Sequence, residues 1–368
     1  MTEQDEEKLA KLLTENPSLT CSELARETGL SRSAVDRWKQ RIKRKAMTDN
    51  MPEGYIIKGK STCRNAEGDI ILEWTKTDLE KEKTLELVQM AVDDMVDQCK
   101  GKSEFVKPPK NTNSDLMAVY PIADVHLGLY TWDEEVGTSW DTGKCEKVLL
   151  ECMTYLVEAA PPAEHCLIPN LADFFHTDND QNQTARSGHT LDVDTRRAKV
   201  FLTGVRAYRK MIQLALSKHK NVVVKSAIGN HDDHSILHLA VTMQAYFENN
   251  PRVTIELPIN PFGYHEFGKN LIGIHHGNLK ADRYPLIMAA DQSAAWGRTT
   301  RRVFMTGHIH NKTVVEHPGC MVESFRSPAA KDSWTHASGY RAERDMQLIV
   351  LHRERGEISR TRIGVDNL

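Results

Sequence analysis

The sequence predicts a small all-α unit followed by a larger α/β domain, joined by a hairpin, a helix and a polar linker. Three observations carry this. Residues 3 to 45 show apolar positions at helical spacing in three pieces, broken at Asn16-Pro17-Ser18 and Gly29-Leu30-Ser31. From Leu116 onward, short apolar strands alternate with helical stretches and polar loops. Histidines and carboxylates fall directly behind those strands, where α/β proteins place their sites. The 368 residues allow two to three units, and the boundaries expected are 1–46, 47–115 and 116–368.

In the first unit, Leu9, Leu12, Leu13, Leu24, Ala25, Leu30, Val35, Trp38 and Ile42 supply a core, and Gly29 takes the turn between the second and third helices. The pattern resembles a helix-turn-helix. Its third helix opens behind Ser31-Arg32-Ser33 and runs into a basic stretch, so Arg32, Arg37, Lys39 and Arg41 are the expected contacts to DNA. A helical dimerisation module with a solvated basic face is the alternative, which makes a homodimer a second expectation. Tyr55–Lys58 and Ile70–Trp74 flank a glycine-containing turn and read as a β-hairpin, suited to the wing of a winged helix. A helix over about 78–99 and the linker Lys107–Asn113 complete the middle segment.

Composition removes several classes. Charged residues at 27% and hydrophobic residues at 40% exclude collagen-like, fibrous and wholly disordered chains. The longest apolar runs are strand-sized and the charged start is not a secretory signal, so no membrane association and a cytoplasmic location are expected. Seven scattered cysteines without a C-x-x-C pair fit neither a disulfide framework nor a thiolate zinc site. A net charge of −3 means that any nucleic-acid affinity is local.

Five clusters carry the chemistry, each behind an expected strand: Asp124-Val125-His126, Ala172-Asp173-Phe174-Phe175-His176, Gly229-Asn230-His231-Asp232, His276-Gly277 and Gly307-His308-Ile309-His310. Gly-Asn-His-Asp alone has a chance expectation on the order of a few thousandths from background composition. His275 and His276 are adjacent on a strand and point opposite ways, and Gly277 favours His276 as the one entering the site. Carboxylate, amide and imidazole donors without thiolate suit a first-row divalent cation better than calcium or a structural zinc.

The block from Leu116 to about Val365 resembles the calcineurin-like metallophosphoesterases, whose motifs are D-x-H, G-D-x-x-(D/H), G-N-H-(D/E), H and G-H-x-H. The resemblance implies two mixed β-sheets facing one another, flanked by helices, with the site where strand ends meet. It implies two divalent ions, manganese first, with iron, zinc or nickel as alternatives. Asp124, His126 and His310 would hold one, Asn230, His276 and His308 the other, and Asp173 would bridge both. His231 then stays free of metal as general acid, and a metal-bridging hydroxide is the nucleophile of phosphodiester hydrolysis. Ala172 stands where the family has glycine. His176, followed by Thr177-Asp178-Asn179 in place of Arg-Gly, departs from the protein phosphatases and resembles the DNA-repair exonucleases of the superfamily, where it would position or assist His231.

The polar loop 177–192 leaves from a ligand motif, which gives Arg186, His189 and Arg196 a substrate-facing expectation, ahead of a helix starting near Val193. The expected function is a dinuclear metal-dependent phosphodiesterase acting as a nuclease on DNA, because a tethered DNA-binding module raises the local concentration of phosphodiester. The rivals are a small-molecule, cyclic-nucleotide phosphodiesterase and a DNA-binding regulator with an idle core. A helix-turn-helix joined to such a domain resembles proteins of tailed bacteriophages and prophages, placing the chain in a bacterial cell or a phage-infected host.

Overall fold

A computed structural model describes residues 3–39, 55–65, 70–79, 100–184, 187–339 and 341–368. The chain divides into two compact units, Met1–Ala91 and Val92–Leu368.

The first unit opens with α1 (Glu3–Glu15), α2 (Cys21–Thr28) and a third helix, α3, over 32–39. α2 starts where it does because Thr20 forms a capping box: its side chain accepts from the Glu23 N–H, while the Glu23 carboxylate accepts from the Thr20 N–H at 2.8 Å. It stops at Gly29, whose φ of 74° is the left-handed conformation that glycine adopts without a Cβ penalty. Leu9, Leu24, Val35 and Trp38 bury fully against one another. Strands β1 (Tyr55–Arg64) and β2 (Ile70–Leu79) pair antiparallel, so the hairpin is present and longer than the sequence pattern marks. Asp78 and Leu79 belong to β2, which corrects the expected helix start at 78; the remainder of that helix, with Arg41 and Ile42, lies outside the described residues.

The second unit is a four-layer α/β/β/α sandwich. One sheet has the order β13-β12-β3-β4-β5-β6, with β3 (Asn113–Val119), β4 (Ala163–Asn170), β5 (Asn221–Ser226) and β6 (Val253–Glu256) parallel and β12 (Asp345–His352) and β13 (Gly356–Gly364) antiparallel at one edge. The other has the order β10-β11-β9-β8-β7, with β8 (Asn270–Ile274), β9 (Arg301–Thr306) and β11 (Cys320–Ser324) parallel and β7 (Gly263–Phe267) and β10 (Thr313–His317) antiparallel at the edges. These are the two sheets flanked by helices that the sequence resemblance implies.

Period-two alternation builds the layers. Met117 and Val119 of β3 face the second sheet, packing with Leu167, Ile272, Ile274, Met305, Ile349 and Leu351. Ala118 and Tyr120 face the other way, onto the helices α5 (Thr142–Ala159), α6 (Arg197–Lys218) and α7 (Ser235–Tyr246) that cover the six-stranded sheet; the short α4 (Asp133–Val136) precedes them. α8 (Arg283–Asp291) and α9 (Ser293–Arg298) cover the outer face of the second sheet through Tyr284, Met288 and Ala295, and α10 (Ser333–Ala337) follows β11. α6 begins at Arg197, four residues later than the sequence pattern marks, because Val193 is used in a bridge to Leu129.

Candidate metal centre

The parallel strands β3, β4, β5, β8 and β9 all end toward one side of the sandwich, and the five sequence clusters occupy the loops that leave them. These loops are tight. Among the described residues seven non-glycine positions have positive φ, and five of them are Asp124, His126, Asp173, His308 and His310, with Ala172 (φ 72°) a sixth. Left-handed backbone costs L-residues roughly 1–2 kcal/mol each, and strain of this kind gathers where a site demands a particular side-chain direction. Ala172 also explains why glycine suits that slot.

Among the described residues the donors converge in three sets, of which one is the all-imidazole group His126, His176 and His231 and two contain a carboxylate. Asp124, His126 and His310 offer ligand atoms that all lie within 4.8 Å of one another, and so do Asp173, His276 and His308. In the set with Asp124, His126 Nε2 stands 3.0 Å from His310 Nε2, and His310 Nε2 stands 3.5 Å from Asp124 Oδ1. In the set with Asp173, His276 Nε2 lies 2.9 Å from Asn230 Oδ1, 3.0 Å from His308 Nδ1 and 3.1 Å from Asp173 Oδ2. A carbonyl only accepts, so the 2.9 Å contact of His276 Nδ1 to Leu171 O places the ring proton on Nδ1 and leaves Nε2 as the ligand nitrogen. Acceptor atoms crowded around a buried lone pair are unfavourable unless a cation sits among them. Burial alone would lower His276, but the Asp173 carboxylate overrides it and lifts the imidazole to about 10. A divalent cation is the other way to meet the same demand, and the donor set of oxygen and imidazole nitrogen fits a first-row ion.

Neighbouring groups aim these donors. Asp232, fully buried, accepts from the N–H groups of Asp173 (3.1 Å), Phe174 (2.8 Å) and Phe175 (3.3 Å), clamping the Asp173 loop. Burial and the Asp173 charge push its carboxyl upward. The His308 N–H lies 3.0 and 2.9 Å from the two Asp124 carboxylate oxygens, and Ser327 Oγ donates to Asp124 O at 2.6 Å. Asp178 accepts from the N–H groups of His234 (2.6 Å) and Ser235 (2.9 Å), tying the second cluster to the start of α7. Two glycines permit the close approach: a Cβ on Gly229 would fall 2.1 Å from Asp173 Oδ1, and one on Gly307 would fall 2.5 Å from Asp124 Oδ2.

His231 and His176 complete the arrangement. His231 donates its Nδ1–H to the His176 carbonyl at 2.8 Å and its backbone N–H to Asp173 Oδ1 at 3.0 Å, so its Nε2 is the nitrogen left for other work. The His176 ring stacks on it with centroids 5.5 Å apart, and His176 Nδ1 meets His126 Nδ1 at 3.3 Å. Burial, reinforced by His231, holds His176 down at about 3, hence neutral. His275, by contrast, packs on Phe262, meets the Tyr284 hydroxyl at 3.1 Å and belongs to neither carboxylate-containing donor set.

These groups line a cleft of about 290 Å³ whose far wall is Leu129, Ile309, Ala330, Asp332 and Thr335. Of these, Ile309 belongs to the Gly307-His308-Ile309-His310 motif and Leu129 follows Asp124-Val125-His126, whereas Ala330, Asp332 and Thr335 have no sequence signal: they come from a segment without periodicity or motif, brought in by the chain after β11. Only the Asp232 of Gly-Asn-His-Asp carried a pattern from which its clamp could have been read. Of the residues expected to face substrate, His189 and Arg196 are exposed and do not line this cleft, and Arg186 lies outside the described residues. The loop carrying His189 folds on itself: Gln183 bridges Thr190, and the His189 N–H donates to Thr184 Oγ1. In the helical unit Arg32 and Arg37 are exposed, whereas Lys39 Nζ donates to Leu19 O at 2.8 Å.

No protein-family model matches the chain, and no curated protein matches it. Solved structures give weak likenesses. Zinc-bound Vps29 from Entamoeba histolytica is 12% identical, with 68% of this chain and 99% of that one covered at a TM-score of 0.30. An archaeal phosphodiesterase is 13% identical (67% and 99% covered, TM-score 0.35), and the phosphoesterase Yfce from E. coli 16% identical (67% and 98%, TM-score 0.32). Likeness at this level carries no weight for activity.

Proposed function

We propose that this chain is a metal-dependent phosphodiesterase, a nuclease or nucleotide phosphodiesterase whose site is built by Asp124, His126, Asp173, Asn230, His276, His308 and His310. The observation that carries the reading is the convergence of two carboxylate-containing donor sets on strand-end loops held in left-handed backbone. Two divalent cations bound there, manganese before zinc, iron or nickel, would supply a water ionised near neutral pH and a Lewis-acidic seat for phosphoryl oxygens.

The chain's own residues do the rest. His231, its Nδ1–H fixed on the His176 carbonyl, presents Nε2 to protonate a leaving oxygen and to stabilise charge on the phosphoryl. His126, coordinating through Nε2, donates its Nδ1–H to His176 Nδ1. The neutral His176 then carries its proton on the buried Nε2 and, stacked on His231, holds that ring in line. Asp173 is shared between the two donor sets in this reading, and Asp232 keeps its loop from moving.

Arg32, Arg37, Lys39 and Arg41 make the helical unit a DNA tether, which favours a nuclease. A second reading, a small phosphodiester, rests on the cleft: among the described residues that line it there is no lysine or arginine, and Asp332 adds an acid. Grooves that track a polynucleotide are basic. Manganese-dependent hydrolysis of end-labelled single- and double-stranded DNA beside bis-p-nitrophenyl phosphate separates the two. Cleavage of both kinds of substrate supports the nuclease; turnover of the small diester with intact DNA supports the second reading; silence on both with metal bound removes both.

A further inference from the structure

Beside the metal cleft lies a second cavity of about 230 Å³, lined by Tyr130, Thr131, Trp132, Glu135, Asp192 and Ser333. Its lining runs on from that of the cleft at two places in the sequence. Leu129, a cleft residue, immediately precedes Tyr130, and Ser333 sits in sequence between the cleft residues Asp332 and Thr335. Its two aromatic side chains are 45% and 53% exposed for Tyr130 and Trp132, although the backbone that carries them is firmly tied. The Tyr130 N–H donates to Asp192 O at 3.0 Å, Thr131 bridges Trp140, and Ser333 Oγ donates to Asp192 Oδ2 at 3.3 Å. Large rings displayed to solvent from a fixed backbone, next to a reaction centre, are a surface built for contact.

We infer that this cavity is a base subsite: it takes an amine-bearing nucleobase of the nucleotide whose phosphodiester lies on the neighbouring metal centre. The inference rests on the phosphodiesterase reading and narrows its substrate. Flat aromatic faces stack on any base. Glu135 and Asp192 are acceptor-only when ionised, so they select bases that offer an exocyclic amino group, as guanine, adenine and cytosine do and thymine does not. The same carboxylates repel further phosphates. The nucleotide seated here is therefore a terminal one, and the polyanion does not continue through the cavity. Two rings on an open wall suit stacking; recognition of an ammonium group uses an enclosing aromatic cage.

The test uses the full chain with manganese and three diesters: p-nitrophenyl guanosine 5′-phosphate, p-nitrophenyl thymidine 5′-phosphate and the base-free bis-p-nitrophenyl phosphate. Trp132→Ala should raise KM for both nucleoside esters about tenfold, the loss of one stacking contact, with the fall confined to substrates carrying a base. Glu135→Gln, which puts an amide donor beside the acceptor and leaves Asp192 in place, should reduce a preference for the guanosine ester over the thymidine ester. The assignment is overturned if Trp132→Ala slows all three diesters alike, or if the wild type handles the nucleoside esters no better than the base-free one. Preferred, Trp132-dependent turnover of p-nitrophenyl phosphocholine would also overturn it, in favour of an ammonium site. Should no diester be hydrolysed, the phosphodiesterase reading has failed, and calorimetric titration of guanosine 5′-monophosphate decides the subsite alone. Binding weakened about tenfold in Trp132→Ala supports it, and equal binding overturns it.

Discussion

Asp232 touches no candidate ligand atom yet governs where one points, because three consecutive N–H groups of the Asp173 loop end on its carboxylate. Asp232→Ala removes all three bonds at a fully buried position and frees a loop held at positive φ. Metal affinity should fall roughly 10–100-fold, the range for partners that orient ligands, as measured by competition with a chelating dye. Gly229→Ala should act on the same loop by collision, since its Cβ would meet both Asp173 and Asp232. Metal content determined after dialysis should drop in this variant although every ligand is retained. That these donors converge was legible in the sequence because each stands in a short motif behind an apolar strand, and Asp and His tolerate the left-handed backbone several of those loops require. The choice between His275 and His276 was legible for the same local reason. Asp332, Thr335 and the aromatic cavity were not, because a wall assembled by tertiary packing leaves no spacing to read.

His219 links three elements at one point: it caps α6, its Nδ1–H donates to the carbonyl of Ala163 at the start of β4, and its Nε2 accepts from the Tyr120 hydroxyl just beyond β3. Both nitrogens are committed and the ring is fully buried, so a second proton would place an unpaired charge away from water. Burial holds His219 at about 4, below the ordinary 6.5. Its contribution to stability is therefore complete above pH 6.5 and is lost as pH falls toward 4, where the unfolded chain binds a proton that the folded one refuses. The slope should approach about 1.4 kcal/mol per pH unit at most in that window. Urea denaturation between pH 7 and 4.5 should show a shallower decline for His219→Gln than for the wild type. At this scale the existence of the central parallel strands was legible, since buried parallel strands are short apolar runs, whereas strand ends were not: β1 runs to Arg64 and β2 to Leu79, beyond the apolar stretches that mark them. Helix ends were missed where a bridge, as at Val193, or a long strand, as at Leu79, overrides helical periodicity.

The two sheets meet mainly through apolar side chains, but charged groups also cross between them: Lys225 Nζ of β5 donates to Tyr264 O of β7, and an ion pair joins β11 to β13. Glu323 of β11, 1% exposed, pairs with both terminal nitrogens of Arg360 on β13, which also reaches Gln347 and Glu357 at 2.9 Å. Removing Arg360 leaves the buried Glu323 charge with Lys312 alone, 3.8 Å away. Arg360→Ala should destabilise the second unit by about 3–5 kcal/mol, and Glu323→Gln in the same chain should recover part of that loss, read from denaturation midpoints. The α/β class of the whole molecule followed from strand and helix alternation, whereas the pairing of two sheets came only with the motif resemblance. Periodicity marks which face of a strand is buried and is silent on whether a helix or a second sheet buries it.

The central claim is that seven side chains on strand-end loops hold two divalent ions for phosphodiester hydrolysis with His231 as the acid. It is tested most directly by measuring metal content and bis-p-nitrophenyl phosphate turnover together, for wild type and His231→Ala. The account predicts about two bound ions per chain in both proteins, activity abolished by chelation, and a loss of roughly 10²–10⁴-fold in the variant. Two bound ions with no turnover in the wild type, or a His231→Ala protein that works at the wild-type rate, would contradict it.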